Sequence, residues 1–67
     1  MAVSYKKLFK MLIDKNMMKK DLQAKAKVSS YTLGKMNRGE NVTVDVLTRI
    51  CGALDCEIGD IMEIIED

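Results

Sequence analysis

Leu22-Gln23-Ala24-Lys25-Ala26-Lys27-Val28-Ser29-Ser30-Tyr31-Thr32-Leu33-Gly34-Lys35-Met36-Asn37-Arg38-Gly39 is the stretch whose reading decides the fold. Leu22 and Ala26 stand four residues apart, on one face of a short helix that starts near Lys19 and ends at Lys25 or Ala26. Val28 puts a β-branched residue in the turn that follows. Ser29 can cap the next helix, because its hydroxyl accepts from an orphan first-turn amide. That helix spans about Ser30 to Asn37 with Leu33 and Met36 inward, and Gly39 ends it by accepting a positive φ. Two short helices joined by a tight turn are the expected result.

The flanking sequence extends the helical pattern. Tyr5, Leu8, Phe9, Leu12 and Ile13 fall at i, i+3, i+4, i+7 and i+8 and form one apolar stripe. Ser4 can cap the start of that helix, and Asn16 tolerates a left-handed exit. Thr43 caps a fourth helix, Asp45 favours its dipole, and Val44, Leu47, Ile50, Cys51 and Leu54 follow at helical spacing. Ile58, Ile61, Met62 and Ile65 predict a fifth helix over about Ile58 to Ile65. No segment shows a period-two strand pattern. The expectation is an all-α, compact five-helix bundle, with residues 1–67 forming one domain.

Composition narrows the class. A chain of 67 residues buries only about 60% of its unfolded surface, so its core is marginal. Two cysteines allow one disulfide at most, and histidine is absent. Cys51 falls on an apolar stripe and reads as core rather than as a metal ligand. No apolar run reaches the ~18 residues of a membrane span and nothing resembles a secretory signal, so a cytoplasmic location is expected. The net charge of +1 hides a division. Residues 1–38 hold ten bases and two acids (+8), while residues 39–67 hold one base, Arg49, and eight acids (−7). A strongly basic half suggests a polyanionic partner, with nucleic acid first.

The ordered set Leu22, Ala26, Val28, Ser29, Leu33, Met36 and Gly39 resembles the helix-turn-helix of the phage repressor/Cro-type family, also called the xenobiotic-response-element family of bacterial regulators. Thr43-Val44-Asp45-Val46-Leu47 with Ile50-Cys51-Gly52-Ala53-Leu54 resembles that family's fourth helix, and Ile58-Gly59-Asp60-Ile61 its fifth. The resemblance covers about Tyr5 to Ile64. Four positions depart from the pattern. Gln23 replaces a small residue, Lys27 the turn glycine, and Met18 and Glu57 the usual hydroxyl caps. Lys27 must then be left-handed, at a cost of about 1 kcal/mol, or the turn differs.

The resemblance implies a lambda-repressor-like fold and a DNA-binding transcriptional regulator, with repression as its simplest mode. A helix fits the major groove and reads base edges from its N-terminal part. Matched by position, Ser30, Tyr31 and Lys35 take the family's base-reading places. Lys35 suits guanine O6 and N7, Tyr31 a thymine methyl, and Ser30 and Thr32 discriminate weakly. Gly34, costly inside a helix, allows close approach. Lys19 matches a family phosphate contact and Lys20 adjoins it at the same helix start. Arg38, Asn41 and Thr43 are expected to hold the opposite strand without specifying sequence.

Ile58, Ile61, Ile64 and Ile65 exceed what one terminal helix buries in a chain this short. A homodimer through that helix is therefore expected, with reading helices ~34 Å apart on a pseudo-palindromic site. No nucleophile–base pair and no phosphate-cradling glycine loop is found, which argues against an enzyme. No cofactor, metal or small-molecule ligand is implied. The alternative is a protein-interaction module on the same fold, antitoxin-like or a subunit of a regulatory complex.

Overall fold

The computed structural model describes residues 2–66. Asp67, counted above in the acidic half, lies outside them. The element order is β1 (Ala2–Ser4), α1 (Lys6–Asp14), α2 (Lys19–Ala26), α3 (Ser30–Asn37), α4 (Val44–Leu54), a single 3-10 turn (Ile58–Asp60) and β2 (Glu63–Ile65).

The four predicted helices form where their spacing placed them, and the fifth does not. The fold is mostly helical, with four α-helices and a two-stranded antiparallel ribbon in which Ala2 pairs with Ile65, Val3 with Ile64 and Ser4 with Glu63. Ile58 and Ile61 share one 3-10 turn and its cap, closed by the Ile61 N–H on the Ile58 carbonyl at 3.0 Å. The chain then extends, so Ile64 and Ile65 never share a helical face with Ile58. Ile61 is fully buried in the core of its own protomer. It therefore cannot serve the dimer surface assigned to it above.

The core is assembled from one stripe per helix. Leu8 and Leu12 of α1, Leu22 and Ala26 of α2, Leu33 and Met36 of α3, and Leu47, Ile50 and Leu54 of α4 are buried with Tyr5, Val28 and Ile61. Fully burying side chains of this kind stabilises by about 1.5–3 kcal/mol each. Tyr5 has only 3% of its surface exposed. Burial raises its hydroxyl pKa, against the opposing effect of a hydrogen bond with the Val42 backbone.

All four helices end the same way. A residue of positive φ follows each one: Asn16, Lys27, Gly39 and Asp55. The next N–H then closes back on the last turn, from Met17 to the Leu12 carbonyl, Val28 to Gln23, Glu40 to Lys35 and Cys56 to Cys51, at 2.8–3.2 Å. These bonds satisfy carbonyls that a helix end otherwise orphans. Only one of the four positions is glycine. Gly39 also packs closely, since a Cβ there would stand 3.2 Å from the Val3 carbonyl oxygen.

Helix starts use two devices. Ser29 and Thr43 cap α3 and α4, their hydroxyls accepting from the Thr32 and Val46 N–H groups at 3.1 and 3.2 Å. Where a hydroxyl cap is missing, an acid three residues on takes over. The Asp21 carboxylate accepts from the Met18 N–H at 2.8 Å, and Asp60 from the Glu57 N–H at 2.9 Å. Ser4 ends β1 rather than occupying the cap position of α1, which Tyr5 holds. Its hydroxyl still accepts from the orphan Lys6 N–H at 3.3 Å.

Candidate nucleic-acid interface

The turn between α2 and α3 is three residues long, and each has a distinct task. Lys27 takes the left-handed conformation (φ 57°, ψ 47°) that reverses the chain. Val28 is buried and anchors the turn to the core. Ser29 is extended (φ −80°, ψ 159°) and caps α3. From α4, the Arg49 guanidinium donates to the Lys27 carbonyl at 3.2 Å and pairs with Asp45 at 2.8 Å. The one base of the acidic half therefore braces the turn.

With Leu33 and Met36 buried, α3 presents Ser30, Tyr31, Gly34 and Lys35 outward. Tyr31 is 72% exposed, in contrast to the buried Tyr5. The Lys35 ammonium lies 5.9 Å from the centre of its ring. This one-turn pair holds a cation and an aromatic hydroxyl side by side on the outer face. Thr32 is differently placed. Its hydroxyl oxygen accepts from Ser29 Oγ at 3.0 Å, so it belongs to the cap and keeps only its own proton to offer outward. A Cβ at Gly34 would meet the Arg38 guanidinium at 3.5 Å, an ordinary contact.

The expected phosphate contacts divide into available and engaged groups. Lys19 and Lys20 are exposed at the first turn of α2. The Lys19 ammonium sits 4.9 Å from the centre of the Phe9 ring. Arg38 is exposed, but its Nε donates to the Glu40 carboxylate. That hydrogen bond, reinforced by the Arg38 and Lys35 charges, holds the Glu40 carboxyl below the usual carboxylate range. Asn41 and Thr43 lie exposed on the loop before α4. Thr43 uses its oxygen as the α4 cap and retains its proton as a donor.

Several of these arrangements escaped the sequence reading. The Arg38–Glu40 pair was visible as opposite charges two residues apart. The Arg49–Lys27 bond spans 22 positions and left no local signal. Lys7, one of the ten bases of the first half, donates to the Gly59 carbonyl at 3.2 Å. Cys51 and Cys56 are both free and half-buried. The Cys56 thiol is pushed up to about 11, chiefly by burial and then by neighbouring Cys51 and Asp60, with Lys15 opposing.

Two short helices, a braced three-residue turn and an exposed polar outer face define a helix-turn-helix domain. Residues 7–67 match the family model of the Cro/C1-type helix-turn-helix DNA-binding domain, and the chain belongs to that family. Among solved structures it is similar to the transcriptional regulator VanUg, with 44% sequence identity and a TM-score of 0.92 over 98% of this chain and 88% of that one. The search of curated proteins finds no match. None of the helices described is long and apolar enough to cross a membrane.

Proposed function

We propose that this protein is a sequence-specific double-stranded DNA-binding transcriptional regulator that reads the major groove with α3 and represses by occluding a promoter. The observation that carries this reading is the pairing of exposed Tyr31 with half-buried Lys35 on the outer face of α3. Lys35 donates to guanine O6 and N7, Tyr31 meets a thymine methyl, and Ser30 supplies a weakly discriminating hydroxyl. Thr32 contributes through its remaining proton. Lys19, Lys20, Arg38, Asn41 and Thr43 contact phosphates on either side and set the register.

The protein works as a homodimer on a pseudo-palindromic site. Ile64 is 64% exposed on β2, and Ile58 and Ile65 are also exposed. An apolar strand whose outer edge carries no partner strand among the described residues favours pairing with a second copy. A two-fold dimer then sets the α3 helices ~34 Å apart.

Selection of bound duplexes from a random pool tests both statements. The expected outcome is an enriched palindrome whose affinity falls steeply with salt. Lys35→Ala relaxes preference at one position of each half-site, and Lys19→Ala weakens all duplexes about equally. Recovery of no preferred sequence would overturn sequence-specific reading. A monomer in sedimentation at micromolar concentration, with and without DNA, would overturn the dimer.

A further inference from the structure

Away from the α3 outer face lies a surface whose apolar floor the DNA reading does not use. A groove runs between α1, the C-terminal end of α3 and β1. It has two lobes of about 630 and 600 Å³ that share Phe9, Ile13 and Asn37. Its floor is apolar: Val3 in one lobe, Met17 and Met18 in the other, with Phe9 and Ile13 common to both. Ile13 is 74% exposed and Met18 62%, so two large apolar side chains stand in water there. A contiguous apolar patch with a polar rim marks an interaction site, and methionines suit a surface that must adapt to what it binds.

The rim identifies the occupant. Lys6, Lys10 and Arg38 border one lobe and Lys19 and Lys20 the other, and among the described residues no acidic side chain lines either lobe. A second copy placed two-fold across the groove would set these cations against themselves, which is repulsive. DNA matches the charge but offers no aliphatic side chains to the floor. The occupant that satisfies both floor and rim is an acidic protein segment with apolar anchors on one face. An amphipathic helix presents such anchors at i, i+3, i+4 and i+7 along a groove of this kind.

We infer that this groove docks an acidic amphipathic helix of a protein partner, and that the helix and DNA exclude one another because both engage Lys19 and Lys20. The exclusion rests on the DNA-binding reading, whereas the docking does not. The partner's carboxylates take the place of phosphates at the start of α2, while its apolar face covers Ile13 and Met18. Such a partner would release the regulator from its site without touching α3.

The test uses the full chain and a synthetic helix of about 18 residues, with leucines at i, i+3, i+4 and i+7 spacing and glutamates elsewhere. NMR titration is expected to shift Phe9, Ile13, Met17 and Met18, and the peptide is expected to displace a bound duplex. Ile13→Gln and Met18→Gln, both at exposed positions, weaken the peptide about tenfold each and leave duplex affinity unchanged. A peptide with serines in place of leucines that binds equally well would reduce the effect to charge and overturn the groove. Absence of binding, or shifts confined to α3, would overturn it too. Shifts at Ile13 and Met18 on raising protein concentration alone would assign the groove to a second copy instead. Simultaneous binding of peptide and duplex would remove the exclusion. A protein that takes the peptide in the groove yet binds no duplex would leave the docking intact and overturn the DNA reading.

Discussion

The Arg49 guanidinium, two turns into α4, donates to the main-chain carbonyl of Lys27 at 3.2 Å and so fixes the turn that aims α3. Asp45, one turn earlier on α4, orients it through a contact of 2.8 Å. Arg49→Met is expected to destabilise the domain by about 1 kcal/mol, because the bond is half in water and a net contribution of that size is typical. Urea unfolding reads the loss. Asp45→Asn alone should cost less, and the two changes together should be less than additive, since both act on one bond. Full additivity would show that Asp45 does not orient Arg49.

Lys27 and Gly39 occupy the same backbone region at the ends of adjacent helices, with φ of 57° and 74°. Their substitutions should have opposite signs. Lys27→Gly relieves a left-handed side chain and should stabilise by about 0.5–1 kcal/mol, raising Tm by a few degrees. Gly39→Ala adds a Cβ at positive φ and 3.2 Å from the Val3 carbonyl oxygen. It should cost about 1–2 kcal/mol and loosen the hold of β1 on the end of α3. Thermal melts of the two variants decide the matter, and a stabilised Gly39→Ala would refute it.

The contrast between these two positions also shows what the sequence makes legible. The four helices are readable because each carries a 3.6-residue stripe and local end signals: Ser29 and Thr43 at starts, Asn16 and Gly39 at ends. Lys27 could be assigned a left-handed conformation because it stands where the resembled family has its turn glycine. The ribbon is not readable. Ile58, Ile61, Met62 and Ile65 fit a helix by spacing in a window of only eight residues. What holds β2 extended is its pairing with Ala2–Ser4, some sixty positions away. Three-residue strands are too short to show alternation, and a non-local ladder leaves no local mark. At the interface, residue types revealed which side chains face outward but not which are already engaged. Thr32 is bound to Ser29 and Arg38 to Glu40, both through side-chain contacts that helix spacing does not encode.

Glu40 is expected to restrain DNA binding. It takes one donor of Arg38 and places a negative charge beside a cation proposed to meet phosphate. Glu40→Gln keeps an acceptor and removes the charge, so duplex affinity should rise several-fold at low salt. The slope of log affinity against log salt should steepen by about one phosphate equivalent. Fluorescence anisotropy across a salt series measures both. Because the Arg38 hydrogen bond holds the Glu40 carboxyl below the usual carboxylate range, lowering the pH should free Arg38 only below the pH at which an ordinary glutamate titrates. Unchanged affinity in Glu40→Gln would mean that Arg38 does not meet phosphate.

Cys56 should make stability depend on alkaline pH. Its thiol is held protonated to about 11, first by burial and then by Cys51 and Asp60. An ordinary cysteine, as in the unfolded chain, titrates near 9.0. The fold therefore favours the neutral thiol more than the unfolded chain does. That contribution is complete below about pH 9 and is lost as the pH rises through about 11. Tyr5, also raised by burial, adds a loss of the same sign at alkaline pH. Cys56→Ala removes the first contribution and keeps the second. The difference in unfolding free energy between wild type and Cys56→Ala should be flat up to pH 9 and then shrink toward pH 11. Parallel curves across that window would show that Cys56 does not titrate with a raised pKa. At neutral pH the same protonation predicts slow alkylation of Cys56 by iodoacetamide in the native protein and rapid alkylation once urea unfolds it.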